Sequence, residues 1–307
     1  MGKAIRVAYG EAIAKLGHTN DKVVVLDADL SGATQSKFFK KEFPDRFYNV
    51  GIAEENLMGI AAGLAYQGYI PFASTFAVFG TGRAFEIVRN QIAYVNLNVK
   101  LALTHSGISV GEDGGSHQSI EDIAIMRTLP NMTIIVPCDA IETEKAVNAS
   151  AKHLGPVYLR LARPTVENVT SADDKFEIGK ALTLIDGNDA CIIACGLMVS
   201  RALDAARELK ENGIDTAVIN MHTIKPLDKD TILKYNSKCK VIVTAEEHSV
   251  IGGLGSAVAE TIAGTSGGKF AMVGIKDKFG HSGDPSKLFE EYGLTKENII
   301  KKVKENI

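Results

Sequence analysis

The sequence lacks the features of several large classes of protein. It contains no run of about 18 apolar residues, the length that a membrane-spanning helix needs. Its first segment, MGKAIRVAYGEAIAKL, lacks the uninterrupted apolar core of a signal peptide. The net charge of −3 and the isoelectric point near 6.2 give no electrostatic reason to expect nucleic acid as a partner. We therefore expect a cytoplasmic protein that binds neither membranes nor nucleic acid.

Cysteine is scarce, and its spacing does not match that of a zinc site. The four cysteines are Cys138, Cys191, Cys195 and Cys239. Three of them lie in or beside apolar runs typical of strands, where reduced, buried thiols are common. This usage indicates a reducing compartment.

Common phosphate-binding motifs are absent as well. No GxGxxG opens a helix after a strand, and no GxxxxGK[ST] is present. A GDG motif followed at a distance by Asn is also missing. The chain therefore has no evident pyrophosphate or metal site of its own.

Apolar runs alternate with amphipathic segments along most of the 307 residues. Such alternation predicts parallel strands covered by helices on both faces of a sheet. In the first half we expect strands at residues 23–26, 47–52, 70–74, 99–103, 132–136 and 157–161, and helices at 5–16, 53–67, 85–95, 120–128 and 142–151. In the second half we expect strands at residues 190–194, 216–220, 241–245 and 270–274, and helices at 200–211, 229–235 and 252–262.

Between these series, the polar stretch at residues 163–179 shows no sustained period and is typical of a linker. The predicted fold class is α/β, with two doubly wound domains and mostly parallel sheets. We expect the first domain at residues 1–165, a linker at 166–180 and a smaller second domain at 181–307.

Glu54 and Glu55 lie where the run 47–52 passes into a predicted helix. A carboxylate in the first turn complements the helix dipole without any further role. Chemistry in open α/β sheets, however, collects beyond the carboxyl ends of the strands. Both interpretations stay open on position alone.

A glycine-rich loop that follows the strand KLALT carries His105, Asp113 and His117. Two imidazoles and a carboxylate can transfer protons or contact a substrate, can bind a metal ion, or can serve only to order the loop. Arg160 and Arg163, at the end of a predicted strand, can bind a phosphate or a carboxylate, or they can form surface ion pairs.

The segment STFAVF raises a similar question. Its two phenylalanines, Phe76 and Phe79, follow a predicted strand. They suit a hydrophobic core, or they can pack a flat heteroaromatic ring at the mouth of a pocket.

Together, four segments resemble the C-terminal half of transketolase: AEENLMGIAAGLA, STFAVF, THSGISVGEDGGSHQSIED and IKPLD. That half comprises a pyrimidine-binding domain and a small C-terminal domain. Transketolases carry His-x7-Asp-x3-His in the loop, and this sequence reproduces both gaps. Deoxyxylulose-phosphate synthase has one residue fewer there, and the β subunits of 2-oxo acid dehydrogenases keep little of the motif. These two relatives, and a non-catalytic subunit that only braces a partner, are the alternatives.

The resemblance implies roles for residues that bind the cofactor. Glu54 would be the carboxyl group that hydrogen-bonds the aminopyrimidine ring of thiamine diphosphate. Phe76 and Phe79 match the aromatic residues that pack this ring, and Asp29 matches an aspartate that contacts the cofactor.

It also implies residues that bind the substrate. His105 and Asp113 would meet the hydroxyls of the sugar, and His117 would meet its carbonyl or first hydroxyl. Arg6 and Arg163 match arginines that hold the substrate phosphate.

Two positions depart from the family pattern. Gly82 stands where a tyrosine is usual in the wall of the cofactor pocket, and Ala33 lies near a serine of the phosphate site. These departures imply a thinner pocket wall and an altered phosphate contact.

Finally, the resemblance implies a partner. We expect a separate N-terminal subunit of about 270 residues, one ordinary to large domain, that holds the diphosphate together with Mg²⁺ or Ca²⁺. The expected assembly contains two copies of each subunit and acts on sugar phosphates. The implied activity is the transfer of a two-carbon ketol unit.

Overall fold

The computed structural model describes residues 2–307. Residues 2–168 form eight strands, β1 to β8: Lys3–Ala4, Val23–Asp27, Phe47–Asn49, Ile70–Phe76, Lys100–Thr104, Thr133–Ile135, Val157–Arg160 and Thr165–Val166. The helices of this half, α1 to α7, are Ile5–Thr19, Ser31–Thr34, Lys37–Glu42, Glu54–Tyr66, Phe85–Ile87, Asp122–Arg127 and Ala140–Lys152. Segments of 3-10 helix at Pro44–Arg46 and Ile108–Asp113 and of π-helix at Phe79–Arg83 and Val88–Ala93 complete it.

The second half has the same alternation. Its strands, β9 to β14, are Leu182–Ile185, Ala190–Ala194, Thr216–Asn220, Thr223–Lys225, Val241–Ser249 and Lys269–Ile275. Its helices, α8 to α12, are Met198–Glu211, Lys229–Lys238, Leu254–Ile262, Pro285–Glu291 and Lys296–Lys304.

A large sheet organises the first half, with the strand order β12-β6-β7-β5-β4-β2-β3. All neighbours in it are parallel except β12, which pairs antiparallel with β6. Successive residues of β2 pack into two different apolar clusters, Val23 and Val25 into one, Val24 and Leu26 into the other. Since side chains alternate across a strand, both faces of this sheet are buried under helices.

The second sheet has the order β14-β13-β10-β11-β9, and only β9 runs antiparallel to its neighbour. Both sheets are therefore mostly parallel, which confirms the predicted α/β class. The four cysteines are buried and unbridged, as predicted for the three that lie in or beside apolar runs.

Most predicted elements of the first half are present within a few residues, and three strands of the second half match closely. The predicted helix at residues 85–95 is instead a short helix that continues as π-helix. The polar stretch at 163–179 contains β8, which pairs with β1. Within residues 2–307, no helix has both the length and the apolar character needed to cross a membrane.

Candidate active site

Several candidate residues lie at one edge of the large sheet. Strands β7, β5, β4, β2 and β3 are parallel neighbours in that order. Their carboxyl ends lead into the segments that carry Arg163, His105, Phe79, Asp29 and Glu54. The register pairs Asp27 at the end of β2 with Asn49 and Ser74, and Phe76 with Thr104. This parallel arrangement brings residues far apart in sequence to a common edge.

Glu54 is the first residue of α4, and its side chain is 2% exposed. The guanidinium of Arg83 lies 3.1 Å from Glu54 Oε2 and 5.4 Å from the ring centroid of Phe79. Arg83 therefore links the carboxyl group to the aromatic wall. Arg83 lies in a π-helical segment that no apolar period marks, so the sequence did not indicate it as a site residue.

The two phenylalanines and the two loop histidines form one cluster. The rings of Phe76 and His105 are stacked, with centroids 3.9 Å apart and planes inclined by 27°. Phe79 meets His117 edge to face at 5.3 Å, and the Phe76 and Phe79 rings are nearly parallel at 6.1 Å. The phenylalanines therefore contact the glycine-rich loop and do not serve only as core residues.

The loop holds His105 in a constrained, buried position. His105 has a positive φ of 58°, and its Nδ1 lies 2.8 Å from the hydroxyl of Thr104. Burial, followed by the charges of Arg6, Arg163 and His117, lowers the pKa of His105 to about 3. The imidazole is consequently neutral near pH 7.

Arg6 and Arg163 place two cations beside this histidine. Arg6 donates from Nη1 to the carbonyl of Ala33 at 2.9 Å, and its Nε is buried without a partner among the described residues. Burial and then the charge of Arg163 lower the pKa of Arg6. Arg163 donates to the carbonyl of Val110 and lies 3.2 Å from Glu112. Two neighbouring cations suit an anionic group.

Two of the predicted residues remain apart from the cluster. Asp29 is exposed and accepts a 2.8 Å hydrogen bond from Asn49 Nδ2. Asp113 is exposed at the loop surface, and no side-chain hydrogen bond of Asp113 occurs in the part of the chain that the structure describes. His105, Asp113 and His117 do not form a metal-ligand cluster within residues 2–307.

Arg160 is not an exposed binding residue. Its side chain is 4% exposed and makes two hydrogen bonds to Asp122, from Nε at 2.5 Å and from Nη2 at 3.1 Å. Arg160 also donates to the carbonyls of Ser119 and Glu247. Neither a phosphate contact nor a surface ion pair fits this position, because the ion pair is buried between the two halves of the chain.

Comparison with known families and proteins gives a consistent result. The family model "Transketolase, pyrimidine binding domain" matches residues 1–168, and "Transketolase, C-terminal domain" matches residues 179–299. A protein of Methanocaldococcus jannaschii, named as a transketolase C-terminal section, is 50% identical over 99% of this chain and 96% of its own length.

Two further similarities concern a substrate and an assembly. The 6-deoxy-6-sulfo-D-fructose transketolase subunit SqwH of Clostridium sp. is 41% identical over 97% of this chain and 92% of its own length. A solved structure described as a split gene transketolase, an inactive beta4 tetramer, superposes with a TM-score of 0.93 at 50% identity. That match covers 99% of this chain and 98% of the other.

Proposed function

The chain belongs to the transketolase family, and from this premise we propose that it is the C-terminal subunit of a split transketolase. It would transfer a two-carbon ketol unit from a ketose phosphate to an aldose phosphate, with thiamine diphosphate as the cofactor. The observation that carries the proposal is the convergence at one sheet edge of a buried carboxyl group, an aromatic–histidine cluster and two arginines.

The residues present fit the pyrimidine end of thiamine diphosphate. Glu54 offers a buried carboxyl group, and Phe76 and Phe79 offer nearly parallel aromatic faces. When bound, this cofactor supplies the reactive carbon that carries the two-carbon unit. Because the sequence contains neither a glycine-rich phosphate motif nor the GDG motif, we assign the diphosphate and its Mg²⁺ or Ca²⁺ to an N-terminal partner subunit.

Glu54 would hold a proton at a ring nitrogen of the pyrimidine. A carboxyl group can donate or accept a hydrogen bond according to its protonation state. Its position in the first turn of α4 fixes it against the rigid edge of the sheet. The fit requires only that the ring lies against Phe76 and Phe79.

The histidines would form hydrogen bonds with the sugar. His105 is neutral near pH 7 because its pKa is lowered to about 3, so one ring nitrogen can accept a hydrogen bond while the other donates one. With Thr104 at Nδ1, Nε2 is the nitrogen left for substrate. His117, at the other end of the loop, would contact the carbonyl group.

Arg6 and Arg163 would hold the anionic end of the sugar. The half-buried guanidinium of Arg6, beside the charge of Arg163, is suited to a phosphate oxygen. A sulfonate presents similar oxygens, and the relative SqwH is named for a sulfo-sugar. A sulfonated ketose is therefore the second candidate donor.

Reconstitution tests the proposal. Titration calorimetry of thiamine diphosphate and Mg²⁺ into this chain should give weak binding alone and tight binding with the N-terminal partner. Ketol transfer should appear only in the complex, and light scattering of that complex should give two copies of each subunit. Turnover by this chain alone would contradict the split-enzyme proposal. A complex that assembles without any ketol transfer would favour a non-catalytic, bracing role.

A further inference from the structure

Strand β13 carries two adjacent buried carboxyl groups that serve different parts of the molecule. Glu246 accepts hydrogen bonds of 2.7 Å from the amides of Leu254 and Gly255, at the start of α10 within the second half. Glu247, one residue later, accepts a 2.6 Å hydrogen bond from the amide of Ser109 in the first half. Neighbouring residues of a strand point to opposite faces, so only Glu247 reaches the histidine loop, residues 105–117.

The contact between Glu247 and the loop backbone is close. A Cβ atom built on Gly107 would lie 2.2 Å from Glu247 Oε1, so a side chain at this position would displace the carboxyl group. Gly107 also has a positive φ of 76°, which favours glycine. The loop backbone is thus shaped to receive this side chain.

Burial of Glu247 is costly and only partly compensated. Among the described residues, neither its Oε2 nor the neighbouring hydroxyl of Ser109 makes a hydrogen bond of ordinary geometry, although that hydroxyl lies close enough to lower the pKa of Glu247. Burial raises the pKa of Glu247, against the opposing charge of Arg160. A polar group buried with an unpaired oxygen lowers stability. What the buried carboxyl group provides is its contact with the loop backbone.

The loop segment held by Glu247 leads directly to Arg163. Ser109 donates its amide to Glu247, and the carbonyl of the next residue, Val110, accepts from Arg163. At its base the loop is closed by the amide of Gly107, which donates to Ser119 at 2.8 Å. A shift of Ser109 would therefore move the acceptor that orients the candidate phosphate-binding arginine.

We propose that Glu247 is a positioning residue for the candidate active site: by accepting the Ser109 amide, it holds the histidine loop and the Val110 carbonyl in the geometry that substrate requires. Its effect on catalysis rests on the proposed function, whereas its effect on loop order does not. The second half of the chain would then contribute to the site without touching substrate.

Amide hydrogen exchange of the full chain, followed by mass spectrometry, measures loop order without any activity. In Glu247→Ala, peptides that cover residues 105–118 should exchange about tenfold faster, the effect of losing one buried hydrogen bond. Glu247→Gln keeps an acceptor for the Ser109 amide and should restore most of the protection. Glu246→Ala is the matched control, because it removes a buried carboxyl group from the same strand but should expose α10 and leave the loop protected.

Kinetics of the complex with the N-terminal subunit supply the second readout. Glu247→Ala should raise KM for a phosphorylated donor about tenfold, and Glu247→Gln should restore KM to near the wild-type value. Glu246→Ala, assayed below its melting temperature, should change KM by less than about twofold. If Glu247→Ala does not fold, Glu247→Asp takes its place, since its shorter side chain cannot reach Ser109.

Unchanged loop exchange in both Glu247→Ala and Glu247→Asp, or equal loop opening in Glu246→Ala, would overturn the positioning role. Faster loop exchange with a normal KM would show that Glu247 orders the loop without affecting substrate binding, and would overturn its role in positioning the site. A complex without any ketol transfer would instead contradict the proposed function, and the exchange data would still decide whether Glu247 holds the loop.

Discussion

The rings of Phe76 and His105 are stacked at 3.9 Å, which joins the aromatic wall of the site to the histidine loop. Phe76 is the last residue of β4, His105 follows the parallel neighbour β5, and the register pairs Phe76 with Thr104, the residue before His105. The stack buries the imidazole beneath an aromatic face and removes it from water. Loss of solvation is the first cause of its lowered pKa.

The first prediction concerns the pH dependence of stability. The folded chain holds His105 with a pKa of about 3, whereas an unfolded histidine titrates near about 6.5. Between these values the unfolded chain binds the additional proton. The contribution of His105 to the free energy of unfolding is therefore fully present above about pH 6.5. It is lost as the pH falls, by about 1.4 kcal/mol per pH unit. His105→Gln cannot titrate. Its free energy of unfolding in urea should fall less steeply than that of the wild type between pH 7 and pH 5, and parallel profiles would contradict the prediction.

The second prediction concerns Glu54. Glu54→Gln keeps the size of the side chain and one acceptor but cannot supply an acidic proton. Activity of the complex should fall by about 10²-fold or more, the scale of a lost acid–base group, while the melting temperature changes little. The matched control is Glu55→Gln, because Glu55 is exposed on the same helical turn. An inactive Glu55→Gln beside an active Glu54→Gln would reverse the assignment.

The sequence predicted the sheets well because uninterrupted apolar runs mark strands that are buried on both faces. The run at residues 190–194 coincides with β10, and 216–220 coincides with β11. Strand β12 was missed because three residues next to Pro226 carry no period, although their pairing with β6 joins the second half to the first sheet.

The candidate site was predictable only in part. The resemblance indicated Glu54 and the loop histidines, and their assigned roles stay predictions. Arg83 and Glu247 could not be found in this way, because their contacts depend on the fold. Glu247 lies 138 residues from Ser109 along the chain, and no local pattern reports such a contact. The burial of Arg160 is likewise set by Asp122, a residue on another element.

The third prediction concerns Arg163. A charge-assisted contact with an anion contributes about 1.5–3 kcal/mol, so Arg163→Ala should raise KM for a phosphorylated donor about tenfold or more. An unphosphorylated donor should be affected much less. A sulfonated donor, measured in parallel, tests whether the site accepts either anion. Equal increases in KM for charged and uncharged donors would show that Arg163 does not bind the anionic group.

The fourth prediction contrasts Arg163 with Arg160. The side chain of Arg163 is 33% exposed, so its pair with Glu112 should contribute less than about 1 kcal/mol to stability. Arg160 and Asp122 are both buried, and the hydroxyl of Tyr158 donates to the same carboxylate at 2.5 Å. Arg160→Ala should therefore lower the free energy of unfolding by about 3–5 kcal/mol, because it leaves the charge of Asp122 buried without its partner.

A double variant separates the buried charge from the lost packing. Burial alone would raise the pKa of Asp122, but the charge and hydrogen bonds of Arg160 outweigh burial and hold it below its usual range. Arg160→Met with Asp122→Asn fills the space with an apolar chain and leaves Tyr158 a neutral acceptor. Urea unfolding should place this double variant well above Arg160→Ala in stability, because replacing a buried ion pair often costs little. Equal losses in both would show that stability depends on the hydrogen bonds from Arg160 to the carbonyls of Ser119 and Glu247, and that the charge of Asp122 does not decide the outcome.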